Sequence, residues 1–170
     1  LVNQALAEHR MPGAVVIVGR KSGVYFRRAY GQRAILPGPL PMTTTTIFDL
    51  ASLTKPIVTA SLIQWLVERG QLDLDDAVSK YLPAFASQGK AAVRVRQLLE
   101  HTGGLPIVNP LKDYRDGPER AYERVLGQPL ENAPGESYLY GDLSYIVLGA
   151  LIERVAGERL DALAKRVLFA

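Results

Sequence analysis

The sequence predicts an α+β protein in which a helix and a β-hairpin precede a mostly helical region. Two apolar segments rich in β-branched residues, 14–20 and 24–31, flank the turn sequence Lys21-Ser22-Gly23, a pattern typical of a hairpin. Beyond residue 50, apolar residues recur at helical spacing in several segments that are bordered by Gly, Pro or Asp. Strands in one part of the chain and helices in another are typical of the α+β class.

The elements around the hairpin follow from local signals. A short helix is expected over 2–10, because Met11-Pro12-Gly13 would end it. The segment 36–42 is expected to be a loop, since it contains three prolines and a glycine. The four threonines at 43–46 favour an extended backbone, because β-branched residues lower helix propensity slightly.

The rest of the chain is predicted to be helical, with short connections. Asp75 and Asp142 precede two of these helices and are expected to cap them. Asp116 and Arg120 are expected to form an ion pair at the start of an exposed helix. The predicted helix at 53–69 has apolar residues on almost every face, which predicts a buried helix. The predicted helices cover residues 53–69, 75–81, 94–101, 118–126, 143–156 and 159–169.

Composition and charge exclude several classes of function. Hydrophobic residues make up 48% of the 170 residues and charged residues 22%, as in ordinary globular proteins. The absence of Cys excludes disulfides, thiolate metal sites and a cysteine nucleophile. The net charge is +3 and no run of five like charges occurs, so no nucleic-acid partner is expected. The longest uncharged apolar stretch, 145–152, is too short for a membrane span.

No metal site is expected either. Asp73, Asp75 and Asp76 resemble the start of a calcium-binding loop, but Ala77 occupies the third ligand position and no Gly follows at the required offset. The sequence also contains no H-E-x-x-H, G-x-S-x-G, P-loop or G-x-G-x-x-G motif. These aspartates are therefore interpreted as part of a turn and a helix cap.

The residues that suggest chemistry are Ser52 and Lys55, which form an S-x-x-K pattern at the start of a predicted helix. Residues three apart lie on one face of a helix, so the two side chains would meet. A serine hydroxyl becomes a good nucleophile when a neighbouring base takes its proton. Burial and the positive end of the helix dipole both disfavour an ammonium group. Lys55 is therefore expected to have a pKa below the ~10.4 of a free lysine and to act as that base.

The S-x-x-K pattern alone also has structural explanations. It arises by chance roughly once per 200–250 residues at average residue usage, and a second copy occurs at Ser87 and Lys90. That copy lies in a polar segment that contains glycine, with no buried helix behind it, and is interpreted as accidental. Ser52 could instead be a plain N-cap, which agrees with Pro56, a residue that has no N–H to donate to the Ser52 carbonyl.

Further motifs follow Ser52 in a fixed order. They are F-D-L-A-S-L-T-K-P at 48–56, L-V-E-R-G-Q-L-D-L-D-D at 66–76, E-H-T-G-G-L-P at 100–106 and A-P-G-E-S-Y-L-Y-G-D-L-S-Y at 133–145. Together they resemble the class C β-lactamase, DD-peptidase and esterase-like superfamily of serine hydrolases, over almost the whole chain. The resemblance implies a β-lactamase/transpeptidase-like α+β fold.

The resemblance also implies a domain organisation. Residues 1–170 would be the N-terminal part of a single domain. Its residues 1–50 would hold the helix, the hairpin and a connecting loop, and residues 51–170 a helical subdomain. The remaining sheet strands would lie outside this chain, which would leave the hairpin and the residues Val167, Leu168 and Phe169 exposed. An open sheet edge of this kind can pair with a missing C-terminal segment or with another chain.

Roles follow from the resemblance residue by residue. Ser52 matches the acylated serine, Lys55 its partner lysine, and Tyr140 the tyrosine of the Y-x-N box, which assists proton transfer. Tyr140 could alternatively be a half-buried structural aromatic. Asp142 stands where that box usually has Asn, and it either contacts substrate or only caps the following helix. Ionised Asp accepts hydrogen bonds but donates none, so the departure weakens the resemblance to β-lactamases more than that to hydrolases in general.

The third sequence box of the superfamily, Lys or His followed by Thr or Ser and then Gly, is not found. His101-Thr102-Gly103 has this composition but precedes the tyrosine box. It matches instead the separate H-T-S-G-L-P segment, with Gly103 in place of Ser, and is interpreted as a helix C-terminus and turn. The resemblance places one oxyanion donor at the N–H of Ser52 and another beyond the third box, so the 170-residue chain alone is expected to be a poor catalyst.

These observations predict a serine hydrolase that forms an acyl-enzyme on an ester, amide or β-lactam carbonyl, without a metal or organic cofactor. The alternatives are a penicillin-recognising binding module, an incomplete and inactive fragment, and a purely structural helical domain in which Lys55 faces solvent. The expected partner is a small-molecule substrate. The resemblance slightly favours a periplasmic or secreted location over a cytoplasmic one.

Overall fold

The computed structural model describes residues 1–169, which form two compact units, Leu1–Leu50 and the residues from Ala51 onward. The first unit contains a short helix, α1 (Val2–Ala7), and a three-stranded antiparallel sheet in the order β1-β2-β3. The predicted hairpin is confirmed as β1 (Gly13–Arg20) and β2 (Gly23–Ala34). The apolar residues Ile17, Val24 and Tyr25 of this hairpin are exposed, as expected.

Two predictions for the segment after the hairpin were wrong. The expected loop contains a short strand, β3 (Leu40–Pro41), which pairs with the end of β2 because that strand continues past Gly31 and offers a free edge. The expected extended segment at 43–46 is a turn, in which the Thr46 N–H donates to the Thr43 carbonyl at 3.1 Å. The Thr46 hydroxyl also accepts the Thr43 N–H, and this side-chain bond to the backbone outweighs the weak extended preference.

The second unit packs around one long helix. This helix, α5, is predicted correctly as Leu143–Ala156, and it contacts α2 (Ser61–Glu68), α3 (Val95–Leu99) and α4 (Pro118–Leu126). The last helix, α6 (Leu160–Val167), also contacts α5. The bounds of α4 agree with the prediction as well. The core contains buried residues from all five helices, among them Leu62, Leu66, Leu98, Val125, Val147, Leu148, Ile152 and Leu163.

The predicted helix at 53–69 is less regular and less buried than expected. It consists of a 3₁₀ turn (Ala51–Leu53), a π-helical turn (Lys55–Ala60) and α2. Pro56 lacks the N–H that a regular α-helix would donate at this point, so the backbone cannot follow one continuous hydrogen-bond pattern here. Residues of α2 such as Leu62 are buried, whereas Leu53 and Ile57 near the start are exposed.

Several local predictions are corrected by contacts between distant residues. Asp75 does not cap a helix: its carboxylate pairs with Arg96 at 3.1 Å, and Ala77 occupies the position before the 3₁₀ turn Val78–Lys80. Asp116 pairs with Arg124, while the expected partner, Arg120, pairs with Glu123. Near the end of the chain, Val167 and Leu168 pack partly against the core, and Phe169 is exposed.

The second S-x-x-K copy differs from its predicted surroundings. Lys90 was expected in a polar loop, yet its side chain is fully buried, with Nζ donating to the Gln128 carbonyl at 2.6 Å. The Ser87 hydroxyl donates to the Ala84 carbonyl instead of facing Lys90. Burial lowers the pKa of Lys90. Within residues 1–169, no helix is both long and apolar enough to cross a membrane.

Candidate active site

The side chains of Ser52 and Lys55 lie together at the irregular start of the long helical segment. Lys55 Nζ donates to Ser52 Oγ at 3.3 Å and to Asp142 Oδ1 at 2.6 Å. Ala51, directly before the serine, has φ +45°, a left-handed conformation that an alanine rarely adopts. Strained backbone of this kind is concentrated at functional sites. The structure therefore brings together three of the four residues singled out in the sequence.

Asp142 occupies the N-cap position of α5 but does not cap that helix with its side chain. The carboxylate reaches Lys55, 87 residues away in sequence. The backbone around it is held by Ile107, whose carbonyl accepts the Asp142 N–H at 2.8 Å. A Cβ on the preceding Gly141 would lie 2.5 Å from both Cα and O of Ile107, so only glycine fits there. The Asp142 side chain thus forms an ion pair with Lys55 and makes no helix cap, while its contact with substrate stays a prediction.

The expected direction of the Lys55 pKa is wrong in the structure. Burial is the largest single cause and lowers the pKa, as predicted. The hydrogen bond and the charge of Asp142, together with smaller contributions from Tyr140, outweigh burial, so the pKa of Lys55 is raised above its ordinary value. Lys55 is therefore an ammonium group at neutral pH. It can stabilise negative charge and donate hydrogen bonds, but it has no free lone pair.

Tyr140, the fourth residue singled out, also lies near the lysine. Its ring centroid is 5.3 Å from Lys55 Nζ, and the residue is about half exposed. The ring of Tyr145 lies 6.0 Å from the same nitrogen. The ammonium is thus placed between a carboxylate, a serine hydroxyl and two phenol rings, an arrangement that suits proton transfer close to a solvent-accessible hydroxyl.

His101 belongs to this cluster, although the sequence pattern suggested only a turn. It is 8% exposed, and its backbone has φ +56°. Its ring centroid lies 4.6 Å from that of Tyr140 and 4.9 Å from that of Tyr145. Its Nδ1 accepts the N–H of Gly141 at 3.4 Å. Burial and then the nearby Lys55 charge lower the pKa of His101, with Asp142 acting in the opposite direction.

A cavity of about 540 Å³ opens beside Lys55 and Asp142. Its walls are mostly apolar, and Gly149 of α5 is one of the residues that line it. The aromatic and aliphatic residues that line it include Val108, Tyr114, Tyr122, Ile146 and Leu160. The described part of the chain contains no group of three or more His, Asp or Glu residues that could hold a metal ion. The cavity can accept an apolar group next to the charged pair.

Known proteins resemble this chain along nearly all of its length. N-acetylmuramyl-L-alanine amidase of Bacillus subtilis is 34% identical over 93% of this chain and 40% of its own length. Esterase EstB of Burkholderia gladioli is 37% identical over 94% of this chain and 45% of its own length. The chain thus spans less than half the length of these curated relatives.

Solved structures give the same result for the fold. A class C beta-lactamase superimposes with a TM-score of 0.86 at 24% identity, covering 99% of this chain and 46% of its own chain. EstCE1, described as a hydrolase with promiscuous acyltransferase activity, has a TM-score of 0.77 at 31% identity, covering 97% of this chain and 48% of its own. These matches confirm the predicted β-lactamase-like α+β fold.

The family model described as Beta-lactamase matches residues 1–170. This match agrees with the order of motifs around Ser52, Tyr140 and His101 and with the fold of the solved relatives. The chain belongs to the beta-lactamase family.

Proposed function

We propose that this chain carries the nucleophile and the proton-handling groups of a serine hydrolase that acts by acyl transfer. The observation that supports this most directly is the contact of Lys55 Nζ with both Ser52 Oγ and the Asp142 carboxylate. The relatives named as an amidase, an esterase and a hydrolase with acyltransferase activity support the same reaction class. Ser52 would attack the carbonyl carbon of an ester or amide.

The proton would pass through Tyr140 rather than Lys55. Lys55 donates to Ser52 Oγ and keeps its own proton, since Asp142 raises its pKa. A Tyr140 phenolate, stabilised by the adjacent ammonium, would accept the serine proton as the Oγ–C bond forms. The resulting phenol would then donate that proton to the leaving oxygen or nitrogen, and the phenolate would be restored.

Deacylation would use the same groups in reverse. Water would attack the acyl carbon and give its proton to the Tyr140 phenolate, and the phenol would return that proton to Ser52 Oγ as the ester bond breaks. Lys55 stays charged throughout and stabilises both the phenolate and the alkoxide that develops on the serine. This scheme conserves protons without a second base.

The cavity beside Lys55 favours substrates with an apolar group next to the scissile carbonyl. Its walls are built largely from Tyr, Val, Leu and Ile side chains, which bind hydrocarbon well. Asp142 faces the same cavity and, when ionised, donates no hydrogen bond to a substrate carbonyl or carboxylate. We therefore propose neutral esters or amides with an apolar acyl group as the substrate class.

A covalent probe tests the nucleophile directly. The 170-residue chain is treated with a fluorophosphonate, and the adduct is located by intact-mass measurement and peptide mapping. We expect one label on Ser52, complete loss of the label in Ser52→Ala, and no change in the matched control Ser87→Ala. A label on Ser87, or undiminished labelling of Ser52→Ala, contradicts the assignment.

Turnover separates a hydrolase from a binding module. A stable one-to-one adduct with benzylpenicillin and no release of p-nitrophenol from p-nitrophenyl acetate would indicate a penicillin-recognising module. Continued release of p-nitrophenol that requires Ser52 supports the hydrolase. Low activity of the 170-residue chain by itself stays a prediction, as does the assignment of residues 1–170 to one part of a single domain.

A further inference from the structure

We propose that His101 is a positioning residue that holds the Tyr140 segment against Lys55 only while its imidazole is neutral. The proposal rests on the proposed function, since it concerns the placement of the proton-transfer tyrosine. It is carried by backbone and ring contacts that converge on this one histidine from both sides of Tyr140.

The first observation is a pair of hydrogen bonds that flank Tyr140. The carbonyl of His101 accepts the N–H of Leu139 at 2.8 Å, and its Nδ1 accepts the N–H of Gly141 at 3.4 Å. One residue thus receives the backbone donors immediately before and after Tyr140. The two bonds fix the direction in which the tyrosine leaves the backbone.

The second observation is the stacking of the rings. The His101 ring packs on Tyr140 with centroids 4.6 Å apart and on Tyr145 with centroids 4.9 Å apart, the latter nearly parallel at 29°. Tyr145 is itself anchored, because its hydroxyl donates to the Leu99 carbonyl at 3.1 Å. The imidazole therefore connects the exposed Tyr140 to a ring that belongs to the helical core.

The third observation is the backbone of His101 itself. Its φ of +56° lies in the left-handed region, which is uncommon for residues other than Gly and costs free energy. This conformation ends α3 and points the ring towards residues 138–145. Gly or Asn at position 101 would adopt this conformation more easily, and the ring contacts of His101 are favourable interactions that oppose the strain.

We call the two hydrogen bonds of His101 to the backbone of residues 139 and 141, together with its stacking on Tyr140, the clamp. The protonation state of His101 decides whether the clamp can form. Nδ1 accepts a hydrogen bond only in the neutral tautomer that carries its proton on Nε2. In the imidazolium both ring nitrogens are donors, so Nδ1–H would face the Gly141 N–H and the bond would be lost. A charge on His101 would also be buried and repelled by the Lys55 ammonium.

The charged and titratable groups that face the ring come from each neighbouring element. Lys55 of the π-helical turn lowers the pKa of His101, and Asp142 before α5 raises it, while burial lowers it most of all. The phenols that contact the ring are those of Tyr138, Tyr140 and Tyr145. The net direction is downward, so the clamp is complete above the ordinary histidine pKa and is lost as the pH falls through the lowered value.

The experiment combines two variants with a pH profile of p-nitrophenyl acetate hydrolysis. His101→Phe keeps a stacking ring but has no acceptor for Gly141, whereas His101→Asn keeps an acceptor oxygen and suits the left-handed backbone. We expect kcat of His101→Phe to fall about tenfold to hundredfold at neutral pH, with KM little changed. We expect the wild-type kcat to fall at acid pH as His101 becomes protonated, and we expect this acid limb to be absent in both variants. At neutral pH, kcat of His101→Asn should lie between those of His101→Phe and the wild type.

The matched control is Tyr138→Phe, which removes only the hydroxyl from the exposed ring at the edge of the same histidine. It should leave the pH profile of kcat unchanged. Circular dichroism melts show whether each variant is folded at the assay temperature. A His101→Phe enzyme that is folded, has the wild-type kcat and keeps the wild-type acid limb overturns the proposal.

A readout that does not depend on catalysis separates this proposal from the proposed function. In the wild-type chain, the NMR shift of the Gly141 amide should follow the titration of the His101 ring, and that transition should be absent in His101→Phe. If Ser52 is not labelled and no ester is hydrolysed, the proposed function fails while this measurement still tests the clamp. A Gly141 amide that does not respond to His101 titration overturns the clamp, whatever the activity.

Discussion

Asp142→Asn is the substitution that best tests how the proton is handled, because it removes a charge and keeps the geometry. Lys55 Nζ lies 2.6 Å from Asp142 Oδ1, and the amide oxygen of Asn can accept the same hydrogen bond. In the wild-type chain burial lowers the pKa of Lys55, and Asp142 reverses that effect. Without the carboxylate charge, burial should dominate, so the pKa of Lys55 should fall.

The size of the effect on stability follows from the exposure of the two side chains. An exposed ion pair contributes about 0–1 kcal/mol, whereas removal of one partner from a buried pair costs about 3–5 kcal/mol. Lys55 is only 13% exposed but Asp142 is 58% exposed, so water screens one end of the pair. We expect Asp142→Asn to lower the free energy of unfolding by ~1 kcal/mol and Asp142→Ala, which also removes the acceptor, by ~2 kcal/mol.

The pH dependence of this difference has a defined sign. Lys55 has a raised pKa in the folded chain, so the pair contributes fully below the lysine pKa of the unfolded chain. That contribution is lost as the pH rises through the folded pKa. Urea unfolding at a series of alkaline pH values should therefore show the wild type and Asp142→Asn converging in stability as the pH rises through the folded Lys55 pKa.

Kinetics then distinguish the two roles of Lys55. If the ammonium is required, as we propose, the alkaline limb of kcat for p-nitrophenyl acetate should move to lower pH in Asp142→Asn. If neutral Lys55 is the base that deprotonates Ser52, the same substitution should raise kcat at neutral pH, because more of the amine is free. A higher neutral-pH rate with an unmoved alkaline limb would refute the scheme in which Tyr140 takes the proton.

Two further predictions concern glycine positions and the buried lysine. Gly141→Ala should destabilise the second unit and abolish labelling of Ser52, since its Cβ would lie 2.5 Å from Ile107 backbone atoms. Gly149→Ala should stabilise the same unit by about 0.5–1 kcal/mol, because its Cβ lies within a helix and would meet only Leu160, at 3.7 Å. Thermal melts of both variants check this prediction, and equal losses of stability would contradict it. Burial lowers the pKa of Lys90, so the free energy of unfolding of the wild type should increase as the pH rises towards the unfolded lysine pKa. Lys90→Met lacks this titration and should become less stable relative to the wild type over the same range. A stability difference that is constant from about pH 8 to pH 10.5 would contradict this prediction.

The parts of the fold that the sequence predicts well are those with local signals. α4 begins at Pro118, a residue favoured in the first turn, and α5 ends before Gly157, whose φ of +72° suits the left-handed position after a helix. The hairpin is predicted in the same way, from a turn sequence between two apolar segments rich in β-branched residues. Each of these signals acts within a few residues, so one sequence is enough to read it.

The parts that were missed depend on contacts between distant residues. The direction of the Lys55 pKa is set by Asp142, 87 residues away, and the role of His101 by Gly141, 40 residues away. Asp75 does not form the predicted helix cap, because its carboxylate pairs with Arg96, 21 residues away. Periodicity and spacing do not indicate such partners. The prediction for Lys55 rested on burial and the helix dipole, and its direction was wrong.

Lys55 occupies a position that is unfavourable when considered alone, and Asp142 occupies a favourable one that its side chain does not use. A lysine near the start of a helical segment meets the positive end of the backbone dipoles, and an Asp at an N-cap position normally stabilises its helix by bonding the free N–H groups there, typically by ~1 kcal/mol. In this chain the Asp142 side chain makes no such bond and instead pairs with Lys55. The ion pair thus offsets the unfavourable dipole interaction of Lys55 and replaces the N-cap bonds that Asp142 does not make. Because the pair also contacts Ser52 Oγ through Lys55, the lost local stability coincides with the proposed chemistry, which is where such departures from local preference are expected.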